Sequence, residues 1–172
     1  VESAFRIIAM QKEIKRQNQE LTRFQDRMTG ELSLAARLQM GLLPAIPGQA
    51  AGVRYTHRYL PAEGIGGDIY TILPTLDGGA AILIADVSGH GVTAALISAM
   101  CRAVMRTLAP QESSPAAVLS KVNRQLFPDI REDMFITMAY LVIDPTSGDV
   151  SYARAGHTAP LIWRAGTGLV ES

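Results

Sequence analysis

Two aspartates stand where acids could do chemistry. Asp86 ends an apolar run and opens the stretch Asp86-Val87-Ser88-Gly89-His90-Gly91, after which an Ala-rich segment begins. Asp68 follows Gly66-Gly67 at the start of another apolar segment. Two sites of opposite charge could use the first stretch. Gly89-His90-Gly91-Val92-Thr93-Ala94 matches the G-x-G-x-x-A pattern that cradles a dinucleotide phosphate on helix amides. That reading needs a second parallel strand after the helix, ending in an acid. Here Pro110 and a further helix follow. It would also set Asp86 beside a pyrophosphate, and two anions at that range repel.

The opposite reading is a cation site. Mg²⁺ and Mn²⁺ take oxygen donors, namely carboxylates, backbone carbonyls and waters. Glycines at 89 and 91 let the backbone fold tightly enough for a carbonyl near Asp86 to face an ion. Two acids at the ends of two β segments, each flanked by glycine, suggest convergence on one point. The alternative is that each aspartate caps its own turn. His90 is a candidate general acid, or a solvated residue starting the helix. His157 follows a glycine and reads as orienting a strand end. His57 carries no signal, and Cys101 sits among apolar residues as inert core.

The elements that would hold these residues follow from periodicity. With Ile7 as heptad position a, the a series is Ile7, Ile14, Leu21, Met28, Ala35 and Leu42. The d series is Met10, Gln17, Phe24, Glu31 and Leu38. A 3.5-residue period held this long predicts a coiled-coil seam, with a kink or register change at Gly30-Glu31. Leu43-Pro44 and Pro47-Gly48 stop that helix. Strands are predicted over 53–60, 68–73, 80–87, 134–143, 150–155 and 160–164, with a turn at Asp77-Gly78-Gly79. Residues 92–108 form a helix apolar nearly all round, hence well buried. Ser114 caps a second helix, with Pro115 at its first position, running to about Phe127. Asp144 and Asp149 belong to a hairpin turn, and Asp129, Glu132 and Asp133 to a loop.

Composition narrows the partners. The 172 residues are 48% hydrophobic with a formal net charge of +0. Nucleic acid and anionic membrane surfaces want a basic surplus, which is missing. The continuous apolar run from Ala80 to Ala85 is far too short to insert in a bilayer. One cysteine fits a reducing, cytoplasmic setting. The chain opens on Val1 rather than Met and is read as a piece of something longer.

Gly66-Gly67-Asp68, then Asp86-Val87-Ser88-Gly89-His90-Gly91 followed by Ala94-Ala95-Leu96, resembles the SpoIIE-like bacterial branch of the metal-dependent (PPM, type 2C) serine/threonine phosphatases. Leu38-Gln39 with Leu42-Leu43-Pro44, Tyr59-Leu60-Pro61-Ala62, Phe135-Ile136-Thr137 and Ala155-Gly156-His157 are similar to further stretches of that family. The resemblance covers roughly residues 31–163.

The resemblance implies an α+β fold: two packed antiparallel β-sheets flanked by helices, here preceded by the coiled-coil helix. It implies two divalent cations, Mn²⁺ or Mg²⁺, with Asp86 bridging them, Val87 offering its backbone carbonyl, and Asp68 holding them directly or through water. It implies hydrolysis of a phosphoserine or phosphothreonine by an activated water. The substrate would be a phosphorylated anti-anti-sigma-type protein. The division is then a linker helix over 1–43, joining an upstream sensor or receiver module and pairing as a homodimer, and a phosphatase core over 44–172. Two departures stand out. Thr71 replaces a further acid of the family, and the family's later acids lie in a segment that this chain, ending at Ser172, does not reach. The expectation is a C-terminally incomplete core and a poor enzyme in isolation. The alternative is a pseudophosphatase adaptor that binds a partner without hydrolysis.

Overall fold

The structure, a computed structural model, describes residues 2–44, 48–50, 52–61, 64–75 and 78–172. Pro47, Ala62 and Asp77, which belong to the helix stop, the Tyr59–Ala62 stretch and the turn predicted above, lie outside the described residues. The chain divides into two compact units, Val1–Leu38 and Gln39–Ser172.

The first unit is helix alone. Helix α1 runs Glu2–Leu42 without interruption, so Gly30 does not break it. A single glycine costs a helix roughly 1 kcal/mol against alanine, too little to stop one this long. Arg16 bridges Glu13 and Glu20, one turn either side, at 2.6 Å each. Ile7, Ile14 and Leu21 of the a series are each more than half exposed, and so are Met10, Phe24 and Leu38 of the d series.

The second unit is an α+β fold of antiparallel sheets packed with helices, as expected. Strands β1 (Gly48–Ala50) and β2 (Val53–Tyr55) form a small hairpin. The predicted strand over 53–60 therefore ends early, and residues 56–59 instead line a cleft over the main sheet. Strands β3 (Ile69–Pro74) and β4 (Ala80–Val87) come next, then helices α2 (Gly91–Leu108) and α3 (Pro115–Leu126). Strands β5 (Ile136–Ile143) and β6 (Val150–Ala155) complete a four-stranded sheet in the order β3-β4-β5-β6, antiparallel throughout. Strands β7 (Ile162–Arg164) and β8 (Leu169–Glu171) pair with each other. Strands β1 and β8 are too short to leave a periodic signal, and the sequence pattern does not predict them.

The period-2 alternation of a strand sorts the main sheet into two faces. Ala81, Leu83, Ala85 and Val87 of β4 point to a core shared with Met138 and Tyr140 of β5 and with α2 and α3. Cys101, Met105, Val118 and Val122 close that core from the helices. Burial pushes the Cys101 thiol up to about 12, which keeps it protonated and inert. Ser114 Oγ accepts the Ala117 amide at 3.4 Å, and Pro115 opens α3 as predicted. Residues 91–111 are apolar and long enough to cross a bilayer by composition, yet α2 lies against this core. Its burial is one-sided, contrary to expectation. Ala94, Ile97, Ser98, Cys101 and Met105 face inward while Val92, Leu96 and Met100 face out.

Candidate active site

The other face of the sheet carries the acids. Asp86 lies on it with Ile82 and Ile84, one strand from the start of β3, where Ile69 pairs with Ala85. Asp68 immediately precedes β3, so the two carboxyls meet at one end of neighbouring strands. The carboxyls of Asp68 and Asp86 lie close enough to act on each other's proton. Burial first, and then the Asp86 charge, raise the Asp68 carboxyl above the ordinary carboxylate value, while nearby His157 pulls it the other way. A narrow cleft of about 140 Å³ lies between them, lined also by Pro61, Gly89 and His90.

Backbone geometry explains the glycines. Gly89 (φ +91) and Gly91 (φ +73) occupy the left-handed region that side chains avoid. At Gly67 the reason is space. A Cβ there would stand 2.5 Å from the Val87 carbonyl oxygen, and 3.3 Å from Ala94 Cβ. Only glycine lets the Asp68 loop press against that carbonyl.

The other stretches in the resemblance are the braces of this point. The Gln39 amide pairs twice with Gly66: its Nε2 donates to the Gly66 carbonyl at 2.7 Å, and its Oε1 accepts the Gly66 amide at 3.1 Å. Gln39 Nε2 also reaches the hydroxyl of buried Ser98 at 3.3 Å. Tyr59 donates its phenol to the Asp68 carbonyl at 3.3 Å. Ser88 extends the β4–β5 ladder by one step, since its amide donates to the Phe135 carbonyl and its Oγ accepts the Phe135 amide, both at 2.9 Å. Thr137 stands opposite Asp86 in register, and its hydroxyl meets His157 Nδ1 at 2.8 Å.

The structure thus brings Asp68, Asp86, Gly89 and His90 to one cleft, with the Val87 carbonyl beside Gly67. His90 precedes α2 with extended backbone (φ −146) and does not cap it through its side chain. Gln39, Ser88 and Thr137 lie in stretches quoted for the resemblance, but their bracing role has no spacing rule of its own and shows only in the fold. Thr71 is 1% exposed, pairs with Leu83, and points to the helix-packed core. Its lack of a carboxylate therefore takes nothing from the acid pair. Asp144 Oδ1 accepts the Thr146 and Ser147 amides and is a turn residue, as expected.

The Stage II sporulation protein E (SpoIIE) family matches residues 76–172, more than half of the chain. The chain belongs to this family. SpoIIE-family relatives include the phosphoserine phosphatase RsbU of Bacillus subtilis, 31% identical over 82% of this chain and 42% of its own length. The phosphoserine phosphatase RsbP of the same organism is 29% identical over 80% of this chain and 35% of its own. The chain therefore spans less than half the length of these relatives. Among solved structures, the SiaA-PP2C domain of Pseudomonas aeruginosa is similar in fold, with a TM-score of 0.63 over 76% of this chain and 55% of that one, at 23% identity. A structure of RsbU and RsbW domains from Mycobacterium tuberculosis aligns over 56% of this chain and 27% of that one, with a TM-score of 0.51 and 31% identity.

The donor set suits a hard divalent cation. All three donors are oxygens, two of them carboxylates that repel each other until a positive charge comes between them. Gly67 keeps the third, the Val87 carbonyl, uncovered by any side chain at that position. Among the described residues no group of three His, Cys, Asp or Glu side chains forms a cluster able to hold a metal ion.

Proposed function

We propose that this chain is the phosphatase core of a signalling protein that removes phosphate from a phosphoserine or phosphothreonine of a partner protein. The observation that carries this is the Asp68–Asp86 pair at one sheet end, with Gly67 packed against the Val87 carbonyl, in a chain whose relatives are named phosphoserine phosphatases.

Asp68, Asp86 and the Val87 carbonyl would hold Mn²⁺ or Mg²⁺. Bound there, the divalent cation supplies acidity to a coordinated water and positive charge opposite the phosphoryl oxygens. Two carboxylates balance one doubly charged cation, so a second one draws on further donors. Asp68 and Asp86 orient the attacking water within the cleft. His90, on the lip of that cleft, holds a proton for the leaving seryl oxygen. The walls of Pro61 and Ile65 limit the water that reaches the phosphate.

The substrate we propose is a phosphorylated anti-anti-sigma-type protein in the cytoplasm. The exposed a and d residues of α1 would pair two copies as a coiled coil and connect them to an upstream sensor or receiver module. Phosphate release from a phosphoserine protein, with Mn²⁺ or Mg²⁺, tests the reading on this chain and on a C-terminally extended one. Release by the extended chain, abolished by Asp86→Asn, is expected. No release from either chain with either metal would overturn it.

A further inference from the structure

The corner after β6 is held more firmly than the exit of a hairpin requires. Gly156 takes φ +70 and bridges Met138 in parallel fashion. A Cβ at Gly156 would stand 3.5 Å from the Thr137 methyl carbon. The Thr137 hydroxyl meets His157 Nδ1 at 2.8 Å, and Arg154 donates its guanidinium to the His157 carbonyl at 3.2 Å. These anchors fix a half-buried imidazole on the wall of a cleft that also contains Asp68, Tyr59 and Ile84. Thr137 faces Asp86 across the ladder, so the residue that orients the ring is itself next to the acid pair.

With Nδ1 occupied by Thr137, Nε2 is the ring nitrogen left for a ligand. With the Thr137 hydroxyl as the donor, or with the ring charged, Nε2 carries a proton. That ring is a hydrogen-bond donor. It lines the cleft beside Asp68 but not the narrower one that holds both aspartates. A donor set back from a cation-binding acid pair faces the oxygens of an anion brought to that cation.

We infer that His157 is a phosphate-binding residue, its Nε2–H donating to an oxygen of the phosphoryl group held at the Asp68–Asp86 end of the sheet. This rests on the phosphatase reading of the same site. The two histidines then have separate roles. His90 serves the leaving oxygen, and His157 orients the phosphate from the adjoining cleft that shares Asp68.

Calorimetric titration tests it, first with Mg²⁺ alone and then with inorganic phosphate at saturating Mg²⁺. The variants are His157→Ala, His157→Gln and Thr137→Val. His157→Ala should weaken phosphate by about tenfold, the usual worth of a hydrogen bond to a charged group. His157→Gln, which keeps an N–H donor near the Nε2 position, should restore most of the loss. Thr137→Val should weaken phosphate in the same sense while Mg²⁺ affinity holds in all three. In ¹⁵N spectra of the wild-type chain, the His157 imidazole should show the Nε2–H tautomer and shift on adding phosphate. Unchanged phosphate affinity in His157→Ala overturns the inference. So does a parallel loss of Mg²⁺, which would make His157 a cation ligand. A wild-type chain that takes up neither Mg²⁺ nor phosphate instead removes the phosphatase reading beneath it.

Discussion

Two ionised carboxylates side by side repel unless something positive is supplied. In the cation-free chain the folded Asp68 titrates above its ordinary value, because burial and Asp86 both disfavour its charge. The folded state then binds a proton more tightly than the unfolded one. Stability falls as pH rises from the ordinary carboxyl value through the raised folded one. Asp68→Asn removes that penalty along with a cation donor. In EDTA the variant should melt higher than the wild type above that window, and added Mn²⁺ should raise the wild-type Tm alone. A wild type no less stable than the variant would refute the account. Gly67→Ala tests the neighbouring contact. Its Cβ would drive into the Val87 carbonyl, so a loss of roughly 1–3 kcal/mol in urea unfolding is expected, with weaker Mn²⁺ binding.

Strands and helices position these residues through a few specific couplings. The last turn of α1 is joined to the Asp68 loop by one side chain, since Gln39 satisfies both backbone groups of Gly66 and reaches Ser98 on α2. Gln39→Leu leaves those groups without their partner. About 1–3 kcal/mol should be lost, and the Gly66 amide should exchange faster with solvent. Unaltered exchange at Gly66 would show that the loop holds itself. Much at this scale is legible in the sequence. Strand β4 has the bounds its spelling predicts, because its apolar run ends sharply at Asp86-Val87 and a glycine turn follows. Ser114-Pro115 announces α3 by its cap. Helix α2 is less simple than its composition. Hydropathy counts apolar residues but cannot say which face the sheet covers, so Val92, Leu96 and Met100 look like core and are not.

Across the whole chain the two units differ in how they satisfy their apolar residues. The second buries its own, with Leu83, Tyr140, Met105 and Val118 almost entirely enclosed. The helix of the first unit leaves Ile7, Ile14 and Leu21 in solvent along one seam, which suits pairing with a second copy. Replacing Ile14 and Leu21 together with asparagine should turn a dimer into a monomer by light scattering, without changing the fold of residues 39–172. An unaltered mass would remove the seam as the dimer contact.

Residue type and spacing by themselves point to a kind of chemistry. Two glycine-flanked aspartates suggest a cation site rather than a phosphate cradle, because an acid stands among the glycines. They also placed the chain near its family, since short motifs depend only on local order. What sequence could not decide was adjacency across the sheet. Asp68 meets Asp86 because β3 and β4 pair in one register, and a slip of one residue would turn Asp86 toward the core. Thr71 looked like a missing ligand until alternation turned it away from the acids. His157 stands at a strand end, and only β5 shows that Thr137 lies beside both it and Asp86. Those outcomes belong to strand pairing, which joins residues distant in the chain and leaves no local trace in its spelling.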